Sequence, residues 1–519
     1  MDLSAQPRPD TKEEEGYCGG SCGCKGGDTG LPGSSVKGSP SIFGQWLIAI
    51  ALFLATLYFC TRNTSFPYYY EKDAHSKVAQ VVSGHRNFFH PPLMLNAADV
   101  ALRISGMERT EQNAVIAGRF CMAFFTAGAV AAFALLAYRL RGPLAALGVG
   151  VLLASHQLVF ELSHYFKEDP ALLFGLALSF LGYQLYWEKQ TLPRAIYLGI
   201  ACALAVSGKY VGIAAIIMAT ALFLYIGRKV NPVQRSHWYA LFGAFGLTIA
   251  IVDYQFVLHF NQFLNGFEEE MRDVTRKDKR DQIPQFRMVK DSILRYTTKS
   301  TWILLGLSLF ELFRHHRRNP IRWLLILYPV IFLNVLLWSP RLFTRHFLPV
   351  LAVGGVFAIL ALPYLGQLLK SLCNRWKGTA WIPESVLTLG LLAIAFFGHE
   401  LRRSRPMYET FANPSRETMI AYINEHLPEN AVIAFDERAY LLDPKGNQRT
   451  DHPVRCKAIT HGRLSDFVTV DALYEAGVTH VLAHKVDSRM LFPKDNPKEE
   501  EEPRQIKGRG TPQFYKDLM

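Results

Sequence analysis

The sequence predicts a mainly α-helical, polytopic membrane protein with a small extracytoplasmic α/β domain near its C-terminal end. Three observations predict it. Apolar runs of about 20 residues, the length that crosses a bilayer, recur from Ile42 to about residue 398. Of the 519 residues, 50% are hydrophobic and 19% are charged, against about 25% charged in soluble domains, so apolar side chains have displaced charge along the whole chain. After HELRRSRP the composition changes, and a helical pattern, a Pro- or Gly-containing turn and a short apolar run succeed one another twice, the rhythm of a small α/β unit.

Residues 1–41 are rich in Gly, Ser, Pro and charge, a composition that cannot bury enough apolar surface to fold, and are expected to be a disordered cytoplasmic tail. Cys18, Cys22 and Cys24 cluster there without a fourth ligand, so reduced thiols in a flexible tail are the expected reading, and no disulfide framework is visible. Ile42 to Cys60 is the first span; it is too long for a cleaved signal and lacks a small-residue cleavage site. The first outer loop, 61–113, contains two amphipathic stretches, AHSKVAQVVSG and LNAADVALRISG, of the kind that lies in the headgroup plane. Within it the stretch Tyr68–Leu93 closes on Pro91-Pro92, expected to hold an extended path. Further spans are expected near 114–138, 143–163, 171–187, 195–208, 211–227, 238–258, 297–313, 322–338, 347–369 and 381–398, for about eleven crossings in a membrane domain spanning 42–400. The small domain covers 406–492, and 493–519 reads as a solvated tail.

The net charge of +12 is explained by topology. With the N-terminus inside, the cytoplasmic loops are RLRG, WEKQTLPR, GRKVNPVQR, RHHRRNPIR and KSLCNRWKG, each short and basic as the positive-inside rule requires. The basic residues sit between spans, where they meet membrane lipids, and nucleic acid is excluded as a partner.

Ionisable groups at the edge of a bilayer are costly and mark candidate sites. On the expected outer side stand Asp73, His75, His85 and His90 in the first loop, then His164, Lys167, Glu168 and Asp169. Lys209 occupies a tight turn between two apolar stretches, and Arg341, Arg345 and His346 lie between two later spans. Each has a structural alternative. Glu168 and Asp169 suit the N-terminus of a helix, Lys209 suits snorkelling to the interface, and the arginines suit headgroup anchoring. The stretch EEEMRDVTRKDKRDQ reads as a solvated helical face.

DAH followed by GHRNFFHPPL, then HYFKEDPALLF, SGKYVGI and RHFLPVLAV, with the span pattern, resemble the GT-C superfamily of membrane glycosyltransferases. The similarity is to the dolichyl-phosphate-mannose protein mannosyltransferase and aminoarabinose transferase branch, over about residues 42–400. The resemblance implies transfer of a sugar from a polyprenyl-phosphate donor to a protein, glycan or lipid acceptor at the outer face. It implies a bacterial inner or plasma membrane location. The first-loop acid that serves as base in the family falls on Asp73, and the second acidic position on Asp169 or Glu168. Lys209, Arg341 and Arg345 are the candidates for holding the donor phosphate, and His90, His75 and His164 for orienting the acceptor or the loop. Where many relatives have Asp-Glu, Asp73 is followed by Ala74, which weakens any role needing paired first-loop carboxylates. The histidines lack ligand spacing, so no metal site is assigned, although a divalent cation is known in some GT-C enzymes. A polytopic transporter or lipid flippase is the alternative, disfavoured because the charges gather at one face and the two halves do not repeat.

Overall fold

In hydrocarbon the peptide groups must be satisfied internally, so long apolar runs fold as helices. The computed structural model describes residues 42–482 apart from residue 72 and segments 276–284, 317–318, 339–342, 375–382, 394–400, 413–414, 437–438, 443–445, 450–452, 461–463 and 465–468. Arg341, the N-terminal cysteines and the C-terminal tail lie outside the described residues.

Helix α1 (Ile42–Thr61) leads into the first loop, which carries α2 (Ala74–Ser83) and α3 (Leu93–Ser105). The bundle continues with α4 (Glu111–Arg141), α5 (Pro143–Ser155), α6 (Gln157–Ser163), α7 (Asp169–Glu188), α8 (Leu192–Gly208) and α9 (Ile213–Lys229). Next come α10 (Arg235–Val252), α11 (Gln255–Leu258), α12 (Phe260–Thr275), α13 (Gln285–Tyr296), α14 (Lys299–His315) and α15 (Pro320–Trp338). A short 3-10 turn, Thr344–Phe347, opens α16 (Leu348–Ile359), succeeded by α17 (Leu362–Cys373), α18 (Glu384–Leu392), α19 (Leu401–Ala412) and α20 (Ser415–His426). Among the described residues six helical stretches are long and apolar enough to cross a membrane alone, and seven if α5 and α6, which meet at 61°, are one broken span. Four expected crossings are not among these: α8 and α14 have 17 residues each, bounded by Leu-Pro-Arg and Gly208 in the first and by Thr298 and the basic RHHRR run in the second, α10 has 18 and is capped by Asp253, and the described part of the last, α18, has nine.

Both amphipathic stretches of the first loop are helical, and their apolar faces are used inside the protein. Val78 and Val81 of α2 and Met94, Ala98 and Leu102 of α3 are buried in one cluster with Val115 and Met122 of α4. Pro92 departs from the extended expectation. It takes a helical backbone at the cap of α3, where proline's fixed φ suits the first turn.

After α20 the chain forms β1 (Val432–Phe435), β2 (Lys457–Ile459) and, beyond α21 (Val470–Glu475), β3 (His480–Leu482). The sheet is parallel in the order β2-β1-β3, with Val432 opposite Lys457 and Ile433 opposite His480. The central strand is apolar throughout, VIAF, as a strand covered on both faces must be.

One contact fixes how the charged helix ends meet. A Cβ at Gly175 of α7 would collide with the backbone of Ala205 in α8, and one at Gly208 with the backbone of Leu172. The two helices therefore touch backbone to backbone, which brings the start of α7 beside the end of α8. Gly175→Ala should lower thermal stability by at least the roughly 1–3 kcal/mol of an overpacked core, since backbone cannot step aside. An unchanged melting temperature for that variant would show that the helices do not pack this way.

Candidate active site

The end of α8 and the start of α7 each deliver charge to the same place. Lys209 Nζ lies 2.9 Å from Asp169 Oδ1 and 3.6 Å from Glu168 Oε1. Burial alone would favour the neutral amine, but the two carboxylates hold the Lys209 pKa above the usual lysine value. Glu168 occupies the cap position of α7 yet makes no capping hydrogen bond with its side chain. Its carboxylate turns instead to Lys77 Nζ at 2.5 Å and His90 Nε2 at 3.4 Å. Burial opposes its charge, and His90, Lys77 and Lys209 together override burial and hold the carboxyl well below the ordinary range.

The first loop supplies the other half. Asp73 Oδ2 accepts from Arg345 at 2.8 Å and lies 3.5 Å from Lys167 Nζ. Burial pushes the Asp73 pKa up, but Lys167 and Arg345 pull it below the usual aspartate value. Lys167 also lies 2.9 Å from Glu71. For Glu71, which is nearly closed off from solvent, burial outweighs both lysines and raises the pKa. The cluster thus joins Glu71, Asp73, Glu168 and Asp169 to Lys77, Lys167, Lys209 and Arg345.

The loop is tied down at several points. Arg119 of α4, fully buried, donates to the carbonyls of Thr64, Phe66 and Pro67. His164 sits between the carbonyls of Phe160 and Arg62, Nδ1 2.9 Å from the first and Nε2 3.1 Å from the second, and stacks on Phe411 at 4.3 Å; burial lowers its pKa to about 4, so the single N–H of the neutral ring donates to one of the two. From beyond the membrane helices, Arg449 donates to Tyr70 Oη at 2.9 Å and Arg416 to the Tyr70 carbonyl at 3.4 Å.

Of the residues named from sequence, Asp73, Glu168, Asp169, Lys209, Arg345 and His90 come together here. His164 sits behind the loop, and His75 packs edge-on to Tyr68 at 5.4 Å; neither reaches the acids. Sequence reasoning passed over Glu71, Lys77 and Glu270. Glu270, from the stretch read as a solvated face, lies 3.9 Å from His90. Glu71 precedes Asp73 by two residues, so the second first-loop carboxylate stands before Asp73 rather than directly after it. Lys77 is one helical turn beyond Asp73, a spacing that was available as a signal. Among the described residues no group of three or more His, Cys, Asp or Glu is arranged to hold a metal ion.

Residues 101–264 match the family model of the dolichyl-phosphate-mannose-protein mannosyltransferases. Over that segment, about a third of its length, the chain is similar to this family of membrane glycosyltransferases. The matched segment holds α4 to α11, with Lys167, Glu168, Asp169 and Lys209. Three solved structures are similar at low identity. ArnT from Cupriavidus metallidurans, bound to undecaprenyl phosphate, is 13% identical over 87% of this chain and 90% of its own, with a TM-score of 0.41. The archaeal oligosaccharyltransferase AglB from Archaeoglobus fulgidus, in complex with an inhibitory peptide and a dolichol-phosphate, is 12% identical over 85% and 69%, at 0.49. The S. cerevisiae protein O-mannosyltransferase Pmt1-Pmt2 complex, bound to the sugar donor, is 17% identical over 48% and 37%, at 0.34. No curated protein sequence matches the chain.

Lys77→Met removes a cation from a buried carboxylate. Such a loss costs about 3–5 kcal/mol where nothing compensates, and less here because Lys209 and His90 remain. The sign comes from linkage. A carboxyl whose folded pKa is depressed adds stability above its unfolded pKa, and that stability is lost as pH falls. Raising the Glu168 pKa should move the midpoint of acid unfolding to higher pH, and circular dichroism across pH 3–6 would check it.

Proposed function

We propose that the protein transfers a sugar from a polyprenyl-phosphate-linked donor to an acceptor hydroxyl at the extracytoplasmic face, with Asp73 as general base. One observation carries the assignment. Asp73 is the most open acid of the cluster, with its side chain 42% exposed against 28% for Glu270, 8% for Glu71, 2% for Glu168 and 1% for Asp169. A base must meet the acceptor, and the closed acids cannot.

The chemistry matches the residues. Glycosyl transfer passes through an oxocarbenium-like state, and glycosidases need a second carboxyl to protonate the leaving oxygen. A phosphate leaves as an anion, so fixed cations replace the acid. Lys167 and Arg345 flank Asp73 and also line a cavity of 340 Å³ beside it, within the range of small-molecule sites, roughly 300–1,000 Å³. They are the phosphate-holding pair in this reading. Lys209 is committed to Asp169 and Glu168 and serves as their counter-ion beneath the site. His90, between Glu168 and Glu270, orients the loop against α12.

The outer-face placement rests on charge. The start of α7 and the end of α8 carry the cluster, while Arg194 stands at the start of α8 and Arg139, Arg141, Arg228 and Lys229 at the ends of α4 and α9, basic groups that the positive-inside rule assigns to the cytoplasm.

Asp73→Asn should reduce transfer from a polyprenyl-phosphate sugar to background with expression intact; full activity would remove the mechanism. Arg345→Gln removes a cation that holds the Asp73 pKa down. The base then protonates at higher pH, and the acid limb of the kcat/KM profile of the residual activity should move upward. A limb that stays in place would exclude Asp73 as the titrating base.

A further inference from the structure

The cavity beside Asp73 has two charged side chains that the reaction as described does not use. Glu161 of α6 and Arg295 of α13 line it together with Lys167, Arg345, Tyr165 and Phe343. Among the described residues no ion pair or hydrogen bond reaches the Glu161 carboxylate, although its side chain is partly buried in the wall. The two walls are held in register. The chain bends by 61° at His156, between α5 and α6, and His156 Nε2 donates to the Tyr296 carbonyl at 3.0 Å, next to Arg295. The break in the span therefore aims the helix bearing Glu161 at the end of the helix bearing Arg295.

We infer that this cavity takes the sugar of the donor and that Glu161 is the residue that recognises it. This rests on the reading of the protein as a polyprenyl-phosphate sugar transferase. The argument is one of complementarity. A phosphate offers only acceptors at neutral pH, so it pairs with Lys167 and Arg345 and is repelled by Glu161. A carboxylate half-withdrawn from water needs donors, since a polar group left unmatched is costly. A sugar presents them as neighbouring hydroxyls, and one carboxylate has lone pairs for two. Tyr165 offers a ring for the apolar face of a pyranose, and Arg295 donates to ring or hydroxyl oxygens. The groups then match the ligand: the cations beside Asp73 for the phosphate, and Glu161 with Arg295 in the same cavity wall for the sugar. Glu161 makes contact by hydrogen bonds alone and takes no proton in the reaction.

The test compares two ligands on the full-length protein in nanodiscs. One is bare polyprenyl phosphate. The other is polyprenyl-phosphate mannose or polyprenyl-phosphate glucose, whichever the wild type binds more tightly. Glu161→Gln should weaken the sugar-bearing lipid by roughly ten- to a hundredfold, the worth of a hydrogen bond to a charged group, and leave the bare lipid phosphate within about twofold. Glu161→Asp, which keeps the charge at shorter reach, should recover part of the loss. Arg345→Gln should weaken both ligands. Equal loss of both ligands in Glu161→Gln would mark a structural residue and overturn the inference, as would no loss of either. A wild type that binds neither sugar lipid, or an Arg345→Gln variant that binds bare lipid phosphate normally, would overturn the donor reading on which it rests.

Discussion

The structure depends on compensating charge where charge is expensive. Four carboxylates and four cations meet at the ends of apolar helices, and there an unpaired ion would cost several kcal/mol after relaxation. Each of the most deeply placed members therefore has a partner close by: Glu168 with Lys77, Asp169 with Lys209, and Glu71 with Lys167. The pairings draw on α2, the start of α7 and the end of α8, so the first loop cannot move from the membrane helices without breaking a buried pair. Backbone contact between α7 and α8 at Gly175 and Gly208 is the packing feature that makes the deepest of these pairs reachable.

The loop is fixed equally firmly from its far side. Arg119 gathers three carbonyls near the loop's start, and His164 holds the end of α1 against α6. Tyr70, immediately before Glu71, is then gripped by Arg449 and Arg416, whose guanidinium groups also lie 5.2 Å and 4.5 Å from its ring centroid. The region carrying the three-stranded sheet thus reaches back to the acid-bearing loop. Its contribution is positional: it sets where Glu71 and Asp73 stand relative to Lys167.

What could be read from the chain divides along physical lines. Span-forming helices announce themselves through apolar length, and α20 with β1 and α21 with β3 through a change of periodicity. Asp73, Glu168, Asp169, Lys209, Arg345 and His90 were legible because charge at the edge of a bilayer is costly enough to stand out, even where a helix cap or headgroup anchor would also account for it. Glu71, Lys77 and Glu270 were not, because each stands in a stretch polar enough to pass for surface, and only folding shows which face of α2 or α12 turns inward. β2 escaped for a related reason: three residues, Lys457–Ile459, carry too little pattern to distinguish a strand from a loop. The bend at His156 involves no proline or glycine at the break itself, so the helical pattern runs through it unmarked.

The difference in exposure between Asp73 and its neighbours has an electrostatic consequence for the proposed reaction. At rest Glu71, Asp73, Glu168 and Asp169 balance Lys77, Lys167, Lys209 and Arg345, formally four charges against four. When Asp73 takes the acceptor proton it loses its charge. The acceptor oxygen bonds to the sugar, the bond from sugar to phosphate breaks, and the leaving phosphate gains one negative charge as its diester becomes a monoester. The total is conserved, and the charge has moved from Asp73 to the phosphate. Arg345, and Lys167, which Asp73 shares with Glu71, lose their carboxylate partner in Asp73 at the step in which the phosphate needs them. Because the deeper pairs already neutralise one another, little else has to reorganise, which is the condition under which fixed charges lower a barrier most. An acid sealed as deeply as Asp169 could not make that exchange, since no acceptor would reach it and its cation would have nowhere else to turn.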